Sequence, residues 1–184
     1  CQLNLPITLI SINQSAFLKS SFHGDLILPN NLEIIEKKAF ANCNSLTGLL
    51  IIPSKIKIIE SESFASCSLF TGLILPESLI EIGNKAFINC TKFVGNLEIP
   101  SSEKELGQAA FQGCTGFDGN LTIGQQVSSL PENVFEATNF KSVYFAGTNN
   151  IENCSNFGGI NPAIVHVPIN YEDESFCGKP VDKS

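Results

Sequence analysis

The feature that most constrains this chain is a phenylalanine that recurs every 23 or 24 residues. A proline stands 11 residues before each of the first five, and a short apolar run precedes each proline. The recurring phenylalanines are Phe17, Phe40, Phe64, Phe87, Phe111 and Phe135. A unit of this size is too small to bury its own apolar face, so successive copies must stack into a solenoid.

Each repeat begins with a strand pattern. In "NLEIP", Leu97 and Ile99 alternate with Asn96 and Glu98, so the apolar pair is predicted to face the core. Pro100 ends the strand because it offers no N–H to a neighbouring strand. Apolar residues three and six places after most of the prolines predict a second extended segment on the next side of the coil.

A cysteine follows the phenylalanine by three residues in four successive repeats, at Cys43, Cys67, Cys90 and Cys114. We predict a stacked column of buried, reduced thiols, since free cysteine behaves as a small hydrophobe. Disulfides between neighbouring coils and metal ligation are the alternatives, although no CxxC pair or histidine cluster supports a metal site. Outside the column, Cys154 and Cys177 are candidates for a disulfide that fastens the C-terminal end.

Charge and histidine content exclude several functions. The formal net charge of −7 argues against nucleic acid and against docking on an anionic membrane. No apolar run approaches the ~20 residues that span a bilayer, so direct membrane insertion is not expected. The two histidines, His23 and His166, are predicted to lie near opposite ends of the solenoid and cannot form one catalytic site. We therefore expect no enzymatic activity, no cofactor and no metal.

The unit "LTGLLIIPSKIKIIESESFASCSLF" resembles the BspA-like leucine-rich repeat, because its proline, its small residue followed by Phe64, and its Cys67 fall at that family's offsets. The resemblance extends from about Leu3 to Pro168. It implies a β-rich leucine-rich repeat solenoid of about seven coils of 22–24 residues, with parallel strands and short turns or helical segments. The solenoid is predicted over residues 1–168, and a C-terminal cap or tail over residues 169–184.

The resemblance also implies a function: a non-enzymatic, extracellular or cell-surface adhesion module that binds a protein or glycan on another cell, a host or the extracellular matrix. The alternative is a structural repeat protein that self-assembles into a coat or filament. An open first strand beginning at Leu3 would favour assembly, since its edge is unpaired.

The outward side of the first strands is the candidate binding surface. Three isoleucines there form an apolar column across adjacent coils, and an exposed apolar patch often marks a partner site. The alternative is that the three isoleucines bind nothing and occur there because β-branched residues favour strands. The tentative binding residues are Ile27, Ile51, Ile74, Glu98, Thr122 and Tyr144.

Two positions depart from the repeat. Glu103 replaces an apolar core residue, and an unpaired buried carboxylate is costly. We predict a local shift that turns it outward; the alternative is that Lys104 or a backbone N–H pairs with it. Thr138 replaces the cysteine after Phe135 and is predicted to end the thiol column. Asn-x-Ser/Thr triplets that would accept N-linked glycan in a secreted eukaryotic protein occur at Asn13, Asn89, Asn120 and Asn153.

Overall fold

The computed structural model describes residues 1–102, 104–151, 154 and 164–184. The chain is a β-solenoid of about six turns, which confirms the predicted class of fold. Within the described ranges the chain forms strands and turns and no helix. The strands, in chain order, are β1 (Ser11–Ile12), β2 (Gly24–Asp25), β3 (Ile34–Ile35), β4 (Leu46–Ile51), β5 (Ile58–Ile59), β6 (Phe70–Ile74), β7 (Glu81–Ile82), β8 (Leu97–Ile99), β9 (Glu105–Leu106), β10 (Asn120–Ile123), β11 (Ser142–Phe145), β12 (Val165–Val167), β13 (Ser175–Phe176) and β14 (Lys179–Lys183).

The strands lie on two sides of the coil. On the first side, β2, β4 and β6 pair in parallel, and β8, β10, β11, β12 and β14 continue the same side as a second parallel sheet. On the second side, β1 pairs with β3, while β5, β7 and β9 form a three-stranded sheet. These short strands are the second extended segment that the apolar spacing predicts.

The core contains the predicted phenylalanine column. The rings of Phe17, Phe40, Phe64, Phe87, Phe111 and Phe135 stack from coil to coil with centroids 5.0–5.7 Å apart. From Phe40 onward these side chains are completely buried. Offset aromatic contacts of this kind add stabilisation beyond the apolar area that they bury.

A second aromatic column, which the sequence analysis did not identify, stands beside the first. It consists of Phe70, Phe93, Phe117 and Phe140, with centroids 5.0–6.5 Å apart. The two columns meet edge to face, as in the pair Phe87 and Phe93, whose centroids are 6.1 Å apart. The signal is a phenylalanine five or six residues after the first one, which only the second of these repeats lacks, because Leu46 stands there.

The cysteine column is buried and reduced, as predicted. Cys43, Cys67, Cys90 and Cys114 are free thiols with no solvent exposure. Each Sγ donates to the carbonyl oxygen of the column phenylalanine one coil earlier, over 2.9–3.2 Å. In the next coil, Thr138 Oγ1 instead donates to the carbonyl of Phe135 in its own coil, so the column ends there as expected.

The turn that carries each phenylalanine uses left-handed backbone two residues before and two residues after the ring. Around Phe17 these residues are Ser15 and Lys19, with φ of 57° and 56°. The Phe17 N–H then donates to the carbonyl of Ala39 in the next coil at 2.8 Å. The same pair of left-handed residues recurs through Phe135, with Gly113 at one of these positions. The alternation aims every second N–H along the solenoid axis, so adjacent turns are hydrogen-bonded to each other.

Residues 169–184 contain a hairpin that extends the sheet. β13 pairs with β14 antiparallel, and β14 pairs with β12 in parallel, with Val165 opposite Val181. Tyr171 and Phe176 are buried against Phe145. A disulfide joins Cys154 to Cys177, so the candidate bridge is present.

The structure differs from the sequence predictions at the N-terminal end. Residues 3–6 do not form a strand, and the solenoid has about six turns where about seven were predicted. The His23 N–H bonds to the Cys1 carbonyl at 3.2 Å, but residues 3–6 form no strand pairing with the second coil. The predicted shift at Glu103 and the triplet at Asn153 fall outside the described residues.

Candidate functional site

The outward side chains of the first strands form one line across the sheet. Ile51 lies opposite Ile74, Glu98 opposite Thr122, Thr122 opposite Tyr144, Tyr144 opposite His166, and His166 opposite Asp182. Ile27 and Glu98 are placed on the same side as Ile51 and Ile74 by their position in the repeat, two residues before its proline, and not by a strand pairing with those isoleucines. We call this the sheet-face column: Ile27, Ile51, Ile74, Glu98, Thr122, Tyr144, His166 and Asp182. Its span is about 34 Å, from about 4.8 Å per strand.

One end of the sheet-face column is apolar. Ile27, Ile51 and Ile74 are 73%, 53% and 48% exposed. Leu49, on the same face of β4, is also exposed and packs over Gly72, where an added Cβ would meet the leucine side chain at 2.8 Å. Ile51 and Ile74, opposite each other on paired strands, therefore form an apolar strip with Leu49, and Ile27 is exposed on the preceding coil.

The other end is polar and aromatic. The rings of Tyr144 and His166 stack with centroids 4.5 Å apart and planes 16° from parallel. His166 Nδ1 lies 3.1 Å from Asp182 Oδ2, so the carboxylate fixes the orientation of the imidazole. A shallow depression of ≈ 260 Å³ opens beside the rings, with Thr122, Tyr144 and His166 in its lining.

All six tentative binding residues therefore share one side of the solenoid by repeat position, and strand pairing joins Ile51 to Ile74 and Glu98 to Thr122 and Tyr144. Glu98 and Tyr144 are exposed, and Thr122 is half-buried between them. Sequence reasoning missed Asp182, because the tail was treated as a cap and not as a strand. The available signal is "KPVDK", in which Val181 alternates with Pro180 and Asp182 as an inward residue should.

The two histidines and the Asn-x-Ser/Thr triplets do not form a common site in the described chain. His23 is exposed near the first turn, whereas His166 lies on β12, so the structure does not bring the two histidines together. Asn13 and Asn89 are exposed, and Asn120 is half-buried in β10, where its N–H bonds to Asn96 Oδ1 at 2.8 Å.

Acidic side chains also meet on the second side of the coil. Glu81 on β7 lies opposite Glu105 on β9. Burial raises the pKa of Glu81, and the negative charges of Glu105 and Glu60 raise it further. Over residues 1–102, 104–151, 154 and 164–184, no group of three or more His, Cys, Asp or Glu side chains is arranged to hold a metal ion.

These features define a parallel β-solenoid repeat protein whose most distinctive exposed surface is a line of apolar, aromatic and acidic side chains. A family model described as the BspA type leucine rich repeat region matches residues 1–117 and 49–159, in six copies. The chain belongs to this family of repeat scaffolds, and the resemblance seen in the sequence is confirmed.

Two solved structures share the fold. One is a leucine-rich repeat protein from Bacteroides ovatus, 24% identical in sequence. The match covers 91% of this chain and 49% of that protein, with a TM-score of 0.62. A leucine rich cell surface protein from Faecalibacterium prausnitzii is 17% identical, with 87% and 57% coverage and a TM-score of 0.57. The chain therefore spans about half the length of these two proteins.

No curated protein matches the chain. In the described part of the chain, no helix has the length and apolar character to cross a lipid bilayer.

Proposed function

We propose that this chain is a non-enzymatic binding module of an extracellular or cell-surface protein, and that the sheet-face column contacts a protein or a glycan on another cell or in the extracellular matrix. The observation that carries the proposal is the exposure of Ile27, Ile51 and Ile74 at the same repeat position on adjacent coils, with Ile51 and Ile74 directly opposite each other. Apolar surface of this kind is usually covered by a partner in a soluble protein.

Two further observations support it. Solenoids bind partners along extended faces of this type, because each coil adds one side chain to a continuous surface. A structural relative is described as a cell surface protein, although at 17% identity it supports the fold alone. The absence of catalysis is part of the proposal and is in keeping with a family of repeat scaffolds.

The test is a triple variant, Ile27→Ser with Ile51→Ser and Ile74→Ser, assayed for adhesion to cultured cells and to surfaces coated with extracellular matrix. The matched control is Ile10→Ser with Ile34→Ser and Ile58→Ser, which changes three exposed isoleucines outside the sheet-face column. Circular dichroism establishes that both variants are folded. We expect the first variant to lose adhesion and the control to keep it.

Equal adhesion by the folded triple variant, the control and the wild type would overturn the proposed surface. Adhesion lost in the sheet-face variant alone would support it.

A second candidate is self-assembly of the chain through the first coil. Ile7 and Ile10 are exposed there, and an apolar depression of ≈ 460 Å³ lies between Leu3 and Phe17. Another coil of the same repeat would bury this surface. Light scattering of the purified chain over a range of concentrations tests this candidate. A particle mass that stays monomeric at every concentration contradicts it.

A further inference from the structure

In the charged and aromatic half of the sheet-face column, a short side chain lies between two longer ones. Thr122 stands between Glu98 and Tyr144 in register, on the strand between theirs. Threonine is shorter than either neighbour, so the line of side chains has a gap above Thr122. Glu98 and Tyr144 lie two strands apart, so the gap is about 10 Å wide at the backbone. We call this gap the Thr122 notch.

One wall of the Thr122 notch is an aromatic face. His166 covers one face of the Tyr144 ring, with centroids 4.5 Å apart. Thr122 and His166 flank Tyr144 on opposite sides in register, so the face of the ring away from His166 lies on the Thr122 side. His166 is itself fixed by Asp182, which keeps the ring pair in place. Tyr144 is 38% exposed and its hydroxyl has no hydrogen-bond partner in the described chain, so the ring is accessible.

The other wall is an anion. Glu98 is exposed and forms no ion pair with any residue that the structure describes. Lysine is absent from the outward positions of the first-side strands. Among those strands, only β14 contains lysines. Lys179 and Lys183 lie at positions that alternate with the outward Asp182, so they face away from the column. The chain has 11 lysines and no arginine, so this face is acidic because its cations lie elsewhere.

We propose that the Thr122 notch binds an organic cation, the ammonium or guanidinium group of a basic side chain on a partner protein. The proposal rests on the proposed function, because it assumes that the sheet-face column is the binding surface. A cation between Tyr144 and Glu98 lies within about 6 Å of a ring face, where the ring quadrupole attracts it. The Glu98 carboxylate supplies the counter-charge. The isoleucine strip begins one strand beyond Glu98, so the favoured partner segment is basic at one end and apolar at the other.

Charge complementarity selects this occupant over a second copy of the chain. Two copies would bring net charges of −7 together, and each face carries Asp25, Glu98 and Asp182 without a lysine to pair with them. A neutral glycan would stack on the aromatic face and donate hydroxyl hydrogen bonds to Glu98, but it would not compensate the charge of the carboxylate. The basic segment uses both walls of the notch.

The direct test is to label the whole chain with ¹⁵N, titrate it with a hexalysine peptide and monitor the amide chemical shifts. We expect saturable shifts at Thr122 and its neighbours. Tyr144→Leu and Glu98→Gln should each weaken binding about two- to fivefold, the range of exposed cation–π and ion-pair contacts. Tyr144→Phe keeps the ring face and should bind as the wild type does. Glu132→Gln removes one exposed carboxylate away from this face and should also have no effect.

Two results would overturn the proposal. One is an absence of saturable shifts at Thr122. The other is hexalysine binding that Tyr144→Leu and Glu98→Gln leave unchanged, since that would be diffuse attraction to an acidic protein.

Adhesion assays separate this proposal from the proposed function. If the triple isoleucine variant loses adhesion while Tyr144→Leu and Glu98→Gln keep it, the binding face stands and the cation site fails. If all of these variants adhere fully, both fail. Adhesion that survives chemical blocking of both the lysines and the arginines of the target, but not removal of its glycans, would also overturn the cation site, in favour of a glycan.

Discussion

The Sγ atom of Cys67 lies 3.0 Å from the carbonyl oxygen of Phe40, one coil earlier in the solenoid. Cys90 and Cys114 repeat this contact with Phe64 and Phe87. A cysteine that looks like a reactive-site residue in the sequence is thus a buried structural donor, which connects the turns of successive coils.

Two of the buried thiols, Cys90 and Cys114, should make the protein less stable at alkaline pH. Burial raises the pKa of Cys90, and it raises the pKa of Cys114 from 9.0 to about 12. A raised pKa in the folded state contributes stability below the unfolded pKa, and that contribution is lost as the pH rises toward the folded value. For each of these two thiols, the free energy of unfolding should therefore fall by about 1 kcal/mol between pH 8.5 and pH 10. Urea unfolding at both pH values measures the loss.

The control for the thiol prediction is the double variant Cys90→Ala with Cys114→Ala. Its stability should be lower at pH 8.5 but should fall less on going to pH 10. An equal fall in the variant and the wild type would assign the alkaline loss to lysines or tyrosines.

The second aromatic column should be as important for stability as the first. Phe117 is fully buried between Phe93 and Phe140, with centroids 5.4 and 5.0 Å away. Phe117→Ala removes these contacts and leaves a cavity, so we expect a loss of about 3–5 kcal/mol in chemical denaturation. Val94→Ala, at an exposed neighbour of Phe93, is the control and should change stability little. A loss below 1 kcal/mol for Phe117→Ala would mean that the second column is loosely packed.

Reduction of the disulfide should loosen the C-terminal hairpin. Cys154 and Cys177 are separated by 23 residues, and closing a loop of that size stabilises a fold by about 3 kcal/mol in the chain-entropy estimate. We expect reductant to speed hydrogen exchange of the β14 amides while exchange in the central coils stays unchanged. Cys177→Ser should exchange quickly with or without reductant. Protection of β14 that survives reduction would show that Tyr171 and Phe176 hold the hairpin without the bridge.

Alanine substitutions at two glycines should distinguish the stability cost of backbone strain from the cost of a steric clash. Gly95 and Gly113 both have left-handed backbone, with φ of 80° and 75°. A Cβ at Gly95 would meet nothing within 4 Å, whereas a Cβ at Gly113 would meet the side chain of Asn89. Gly95→Ala should cost about 1 kcal/mol from strain alone, and Gly113→Ala more than that, by thermal or urea unfolding. Equal costs would mean that Asn89 moves aside freely.

The repeat could be predicted because its spacing depends on few residues. A proline that ends a strand, a phenylalanine that fills the coil and a cysteine that follows it recur at fixed offsets, and only stacked coils place them all in equivalent surroundings. The alternation of Leu97, Glu98 and Ile99 likewise fixed which residues face inward. The second aromatic column was missed because Leu46 occupies the corresponding position in an early repeat, which obscures the pattern.

The sequence by itself determined the solenoid, its inward residues and its thiol column, because these follow from periodicity and burial within one repeat. Only the tertiary structure decided that β14 extends the sheet, that Asp182 reaches His166 and that the Tyr144 ring stacks on His166. Those contacts join residues on different strands, and their geometry depends on strand register. No spacing along a single chain specifies that register where the repeat has ended.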